Sequence, residues 1–195
     1  MPDRVAGAAE VPALAETLAG AFFADPVWGW AFADADRRHE QQVAFWSLFL
    51  EGSVEFGWVR VTEAFEAVAL WIPPGRPDLT EPHAARLSSL VRELVGERAE
   101  LFFEVLECFD RARPSEAHYY LSLLGTHPEH RGHGFGMRLL AENLAEIDRA
   151  GLPAYLESTN PVNVARYEAV GFVLSGGFEL PADGPNVTTM WRAGR

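Results

Sequence analysis

Between His127 and Gly136 the chain places three glycines within five residues, Gly132, Gly134 and Gly136, directly after Arg131. Glycine lets the backbone curl without Cβ clashes, so successive N–H groups can converge on one anionic group, and the positive end of a following helix adds to the attraction. The chemistry this spacing suits is the cradling of a pyrophosphate. Arg131 would add positive charge, His133 and Phe135 sit within the turn, and Met137 and Arg138 stand at the start of the next element, within reach of the phosphates.

Such a turn works only if its neighbours hold it. Upstream, residues 119–124 read as a buried strand; downstream, Leu140, Leu144 and Ile147 recur at helical spacing up to Gly151. The order is strand, glycine turn, helix. Two common phosphate loops fail on it. A dinucleotide fingerprint needs its last glycine where Met137 stands. A Walker loop needs a lysine, and all 16 basic side chains of this protein are arginine. Kinase-type and pyridoxal-phosphate chemistry, which lean on lysine, are disfavoured with it.

The spacing Arg131-x-x-Gly134-x-Gly136 resembles the phosphate motif of the GNAT superfamily of acetyl-CoA-dependent N-acetyltransferases, Gln/Arg-x-x-Gly-x-Gly/Ala. The family pattern continues with a strand and a helix carrying Asn, Tyr and Gly-Phe, and here the run from Leu156 to Phe172 contains Asn160, Asn163, Tyr167, Gly171 and Phe172. The likeness covers residues 119–172 and fades before them. Within the superfamily the arrangement is most similar to the puromycin N-acetyltransferases, in the five residues from Arg113, the eight from Ala150 and the Gly-Phe ending. The resemblance implies acetyl-CoA as co-substrate, held by Arg131, Gly132, His133, Gly134, Phe135, Gly136 and Met137. It further implies that main-chain groups of a bulged strand at Leu124, Gly125 and Thr126 hold the pantetheine arm; Gly125 suits a bulge. Asn160 and Asn163 would bond the pantetheine amides, although Asn160 also reads as the cap of the following helix.

Acetyl transfer from a thioester to an amine needs a proton acceptor and a donor on opposite sides of the carbonyl. Tyr167 is the donor expected here: Asn160 and Pro161 start its helix, Gly171 ends it, and the resemblance sets this tyrosine over the coenzyme sulfur. Glu157 closes the apolar strand Ala154, Tyr155, Leu156, where a carboxylate is costly unless paired, exposed or functional. Its two readings, a base acting directly or through water and a strand-end carboxylate facing solvent, stay open. On the acceptor side Trp28, Trp30, Trp46 and Trp71 are candidate pocket walls among further aromatics at Phe45, Phe49 and Trp58. Stacking and cation–π contact suit a flat or amphipathic amine, while ordinary core packing accounts for any single ring. Asp25, Asp34 and Glu55 are candidate partners for a substrate ammonium.

A chain of 195 residues, 48% hydrophobic and 23% charged, suffices for one domain. We expect residues 1–195 to form it, with an acceptor-side half (1–115) and an acetyl-CoA-binding half (116–195). The net charge of -12 argues against nucleic acid. No run is long and apolar enough for a membrane span, and acidic Asp3 and Glu10 stand where a signal peptide would be basic and then apolar. The single cysteine, Cys108, allows no disulfide framework; a cytoplasmic setting follows. No metal is expected, since His127, His130 and His133 on a glycine turn lack an orienting carboxylate. Superfamily members often pair, so a homodimer is among the expectations.

Element by element, helices are expected over 11–23, 37–52, 82–111 with a break near Gly96, 134–150 and 161–170. Strands are expected over 53–62 and 64–72 as a hairpin, then 119–126, 153–158, 172–180 and 187–192. This is an α/β class with a mixed, mostly antiparallel central sheet flanked by helices and a parallel strand pair around the coenzyme site. The activity expected is direct transfer of acetyl to a primary amine of a small molecule. The alternatives are a protein or peptide N-acetyltransferase, and a non-catalytic CoA-binding regulatory module.

Overall fold

The computed structural model describes residues 3–195. Seven strands form one sheet in the order β1-β2-β3-β4-β5-β7-β6. They are β1 (Arg4–Val5), β2 (Val59–Val61), β3 (Ala67–Ile72), β4 (Tyr119–Thr126), β5 (Ala154–Ser158), β6 (Val173–Glu179) and β7 (Asn186–Arg192). Only β4 and β5 run parallel; every other neighbouring pair is antiparallel. A parallel pair requires a crossover, and the glycine turn plus the following helix supply it.

The helices are α1 (Val11–Phe22), α2 (Pro26–Ala31), α3 (Arg38–Ser53), α4 (Glu81–Val95), α5 (Ala99–Ala112), α6 (Phe135–Arg149) and α7 (Val164–Glu168). They divide between the two faces of the sheet. Leu14, Leu18, Phe45 and Phe102 from the first five helices share a core with Leu70, Leu123 and Tyr155. Leu140, Leu144 and Tyr167 of the last two pack with Ala69, Leu121, Leu156 and Phe172 on the opposite face. Side chains of a strand alternate between faces, so one residue step decides which core a side chain enters.

That alternation removes Trp71 from the acceptor side. Its neighbours Leu70 and Ile72 join the first core, whereas Trp71 is fully buried in the second and donates its indole N–H to Asn143 Oδ1 of α6 at 2.9 Å. Trp71→Phe therefore strands a buried acceptor and is expected to cost about 1–3 kcal/mol of stability. Chemical denaturation checks the cost, and the acceptor KM of the folded variant should not change.

Three local departures have identifiable causes. Asp25-Pro26, read as the end of α1, also begins α2: Asp25 Oδ1 accepts the N–H groups of Val27 (3.0 Å) and Trp28 (3.2 Å), and proline fits the first helical position. The expected strand from Ser53 is delayed because α3 runs on to Ser53, a 3₁₀ turn covers Val54–Phe56, and the chain reverses at Gly57 before β2. The expected helix over 161–170 is a 3₁₀ turn at Pro161–Asn163 followed by the short α7, with Asn160 Oδ1 accepting Val162 N–H at 3.2 Å.

The bulge in β4 lies elsewhere than expected. Leu70 pairs with Leu123 and Trp71 with Leu121, which leaves Ser122 as the extra residue, while Gly125 pairs regularly with Val68. Gly125 instead permits a close approach. A Cβ there would meet Leu18 Cδ2 and Ala21 Cβ of α1, each at 2.9 Å.

Candidate active site

β4 and β5 pair only from Tyr119/Ala154 to Leu121/Leu156, although β4 continues to Thr126 and β5 to Ser158. Past the bulge at Ser122 the two strands separate, and two cavities meet in the opening. One, of about 490 Å³, reaches the glycine turn. The other, of about 350 Å³, runs among the aromatic helices of the first face. Phe22, Asp25, Leu124, Asn163 and Tyr167 border both.

The glycine turn is a set of free donors. Gly132 (φ 81°) and Gly134 (φ 77°) adopt the left-handed conformation that side chains resist, and α6 starts immediately after. The amides from Gly132 to Met137 find no acceptor among the described residues; the first helical bond at this end runs from Arg138 N–H to Gly134 O at 3.0 Å. The sequence expectation had given the charge of Arg131 to an anion. Its guanidinium instead donates to the last carbonyls of α1, Gly20 O at 3.3 Å and Ala21 O at 2.8 Å, so it anchors the turn while keeping its charge at the rim. Gly136 is packed: a Cβ would stand 2.5 Å from Thr126 Oγ1.

Of the residues expected around the coenzyme, Leu124, Gly125, Thr126, Arg131, Gly132, Gly134, Phe135, Gly136, Met137, Asn160 and Asn163 border the larger cavity. His133 does not; its Nδ1 lies 3.0 Å from Arg131 O and holds the ring in the loop. Asn163 Oδ1 accepts from Arg166 at 3.0 Å, and Arg166 also borders this cavity. His127 Nδ1 accepts Glu129 N–H at 3.3 Å and its ring lies 5.6 Å from that of His130, while His133 turns to Arg131 O; no grouping of three metal-ligating side chains occurs among the described residues.

The smaller cavity has a wall of rings and a polar end. Trp28 and Trp46 meet edge to face at 4.9 Å, and Trp28 stacks on Phe109 at 5.8 Å; all three border the cavity. Trp30, the remaining acceptor-side candidate, lies outside it, with the Arg98 guanidinium over its ring. Asp34 and Glu55 are also outside; Asp34 accepts Asp36 N–H at 3.1 Å instead. Asp25 borders the cavity with its oxygens already engaged, one capping α2 and the other accepting Thr159 Oγ1 at 2.8 Å.

Glu157 belongs to the polar end. Strand alternation puts it on the face of Tyr155, beneath the first five helices, where it lines the smaller cavity and stays partly exposed. Burial raises its carboxyl to about 7, opposed by the hydroxyls of Tyr120 and Tyr155 and by Arg113. Oε1 is out of solvent and accepts no hydrogen bond among the described residues. Tyr167 packs against Phe172 in the second core yet borders both cavities, which the opening between β4 and β5 permits. Burial pushes its phenol up to about 12. A phenol that stays protonated thus stands at the junction, and a carboxylate raised toward neutrality lines the smaller cavity.

The sequence reading missed the group beside Glu157. Arg113 grips Asp78 with two bonds of 2.6 and 2.7 Å and lies 4.0 Å above the centre of the Tyr120 ring. Arg113 stood among the residues compared with other sequences, but nothing local signals its pairing with Asp78, 35 residues away.

Residues 80–172 match the sequence model of the acetyltransferase (GNAT) family. The chain is an acyltransferase with the GNAT fold. An uncharacterized N-acetyltransferase of Schizosaccharomyces pombe is 28% identical over 185 residues, covering 89% of this chain and 74% of that protein. Among solved structures, a histone acetyltransferase HPA2 and related acetyltransferase from Corynebacterium glutamicum superposes with a TM-score of 0.70 at 24% identity, over 100% of this chain and 96% of that one. An agmatine N-acetyltransferase gives 0.62 at 15%, over 98% of each chain. The polyamine N-acetyltransferase of Drosophila melanogaster gives 0.59 at 16%, again over 98% of each. These structural likenesses carry the GNAT fold, with its single parallel pair β4–β5. No helix among the described residues is long and apolar enough to cross a membrane.

Proposed function

We propose that this GNAT protein transfers acetyl from acetyl-CoA directly to a primary amine of a small molecule, as a cytoplasmic enzyme. The observation that carries the reading is the junction of two cavities, one ending in a row of unpaired amides and the other in a buried carboxylate, with Tyr167 between them. The amides of Gly132 to Met137 hold the pyrophosphate, while Leu124, Gly125, Thr126, Asn160 and Asn163 flank the pantetheine arm. Glu157 takes the proton from the amine, and Tyr167 returns one to the departing thiolate. The first half of the chain supplies the acceptor walls and the second half the coenzyme site.

A cavity of about 350 Å³ walled by Trp28, Trp46 and Phe109 supports a small molecule over a protein tail. The sequence likeness to puromycin N-acetyltransferases and the agmatine and polyamine specificities named for two structural relatives point the same way. The test is CoA-thiol release over a panel of amines and short peptides, paired with calorimetry. Gly134→Val forces a β-branched residue into a left-handed position and is expected to abolish acetyl-CoA binding. Unchanged affinity in a folded variant would move the coenzyme elsewhere, and turnover of peptides alone would overturn the small-molecule reading.

A further inference from the structure

Resting on that reading, we infer that the acceptor is an arylalkylamine with one positive charge and no carboxylate beside the amine, and that the Asp78–Arg113 pair enforces the second exclusion. Four carboxylates border the smaller cavity, Asp25, Asp78, Asp110 and Glu157, against one cation, Arg113. An anionic acceptor therefore has a single possible counter-ion, and that one is taken. Both outer nitrogens of Arg113 are bonded to Asp78, its inner Nε is buried without an acceptor, and its face is covered by Tyr120.

A free amino acid with its amine at Glu157 would bring its carboxylate into this group, beside Glu157 itself and where both outer nitrogens of the one guanidinium already hold Asp78. Unpaired buried charge is rejected strongly, which is how a site excludes a near relative of its substrate. A diamine meets the opposite obstacle. Asp25 is already engaged by backbone amides and Thr159, and the Asp110 side chain is 73% exposed at the rim. Away from Glu157 the walls are Phe45, Trp46, Phe49, Leu87, Leu106 and Phe109. A second cation among them loses its water and gains little, whereas an aromatic body gains burial and ring contacts.

The experiment compares kcat/KM for 2-phenylethylamine, phenylalanine and agmatine, in the wild type and in Asp78→Asn. In the wild type phenylethylamine is expected to exceed each of the others by at least about 100-fold. Asp78→Asn withdraws the charge that neutralises Arg113, and the preference for phenylethylamine over phenylalanine should fall by at least about tenfold. Quenching of Trp28 and Trp46 fluorescence measures binding of the same amines independently of turnover. Agmatine or phenylalanine matching phenylethylamine in the wild type would overturn this inference while leaving the acetyltransferase reading intact. A folded Asp78→Asn enzyme with unchanged discrimination would overturn the role of the pair. Absence of thiol release with every amine, despite acetyl-CoA binding, would overturn the proposed function and this inference with it. Should Asp78→Asn fail to fold, the wild-type ranking and the fluorescence titrations still decide the substrate class.

Discussion

Tyr167→Phe is expected to lower turnover by about 10²-fold or more while acetyl-CoA affinity stays near the wild-type value, the pattern left when an interaction made only in the transition state is removed. Burial pushes this phenol up to about 12, so it carries its proton throughout the working range. The ring borders both cavities, where a thiolate leaving one and an amine entering from the other would meet. Phenylalanine keeps the packing against Phe172, so thermal stability should change little and the loss should appear in kcat. The check is single-turnover kinetics with a good amine, in which chemistry limits the rate. Undiminished turnover there would remove Tyr167 from the proton path.

Glu157→Gln is expected to show a deficit that depends on pH in a particular way. The wild-type carboxyl is raised to about 7, chiefly by burial, so its basic form fades below that pH. An alkylamine is mostly protonated until about pH 10 and needs a base below it. The deficit in kcat/KM should therefore be greatest between these limits, about 10²-fold, as expected for loss of a general base. It should shrink below pH 7, where the wild type has lost its own base, and above pH 10, where the amine is already neutral. A rate profile from pH 5.5 to 10.5 reads this directly. A constant deficit arising through KM alone would make Glu157 an anchor for the ammonium, with the proton leaving by water.

The place of Glu157 shows where sequence reasoning stops. A carboxylate closing an apolar strand was legible as costly, but its cost depends on what covers it. That cover comes from helices whose residues lie far away in the chain, and its charge environment from Arg113 and Asp78. The tryptophans teach the same lesson. All four candidates sit in apolar stretches of the first half, yet strand parity sends Trp71 to the opposite core and packing leaves Trp30 outside the cavity. The bulge at Ser122 was misplaced to Gly125 for a related reason, since a glycine in a strand serves a bulge or a close approach equally well and only the position of α1 distinguishes them.

What the sequence by itself determined is what neighbouring residues decide among themselves. Left-handed turns at Gly132 and Gly134, the cap by Asn160, the glycine turn between β4 and α6, and the order of strands and helices each depend on backbone freedom and hydrogen bonds a few residues apart. The proposed coenzyme site draws largely on such local features, which the chain displays by itself. Only the tertiary structure decided the acceptor side. Its walls, its net charge and the ionisation of Glu157 arise from groups brought together across tens of residues, as in the contact of Thr159 with Asp25 or of Arg113 with Asp78. Burial and Coulomb interaction depend on distance in space, and spacing along the chain carries no record of it.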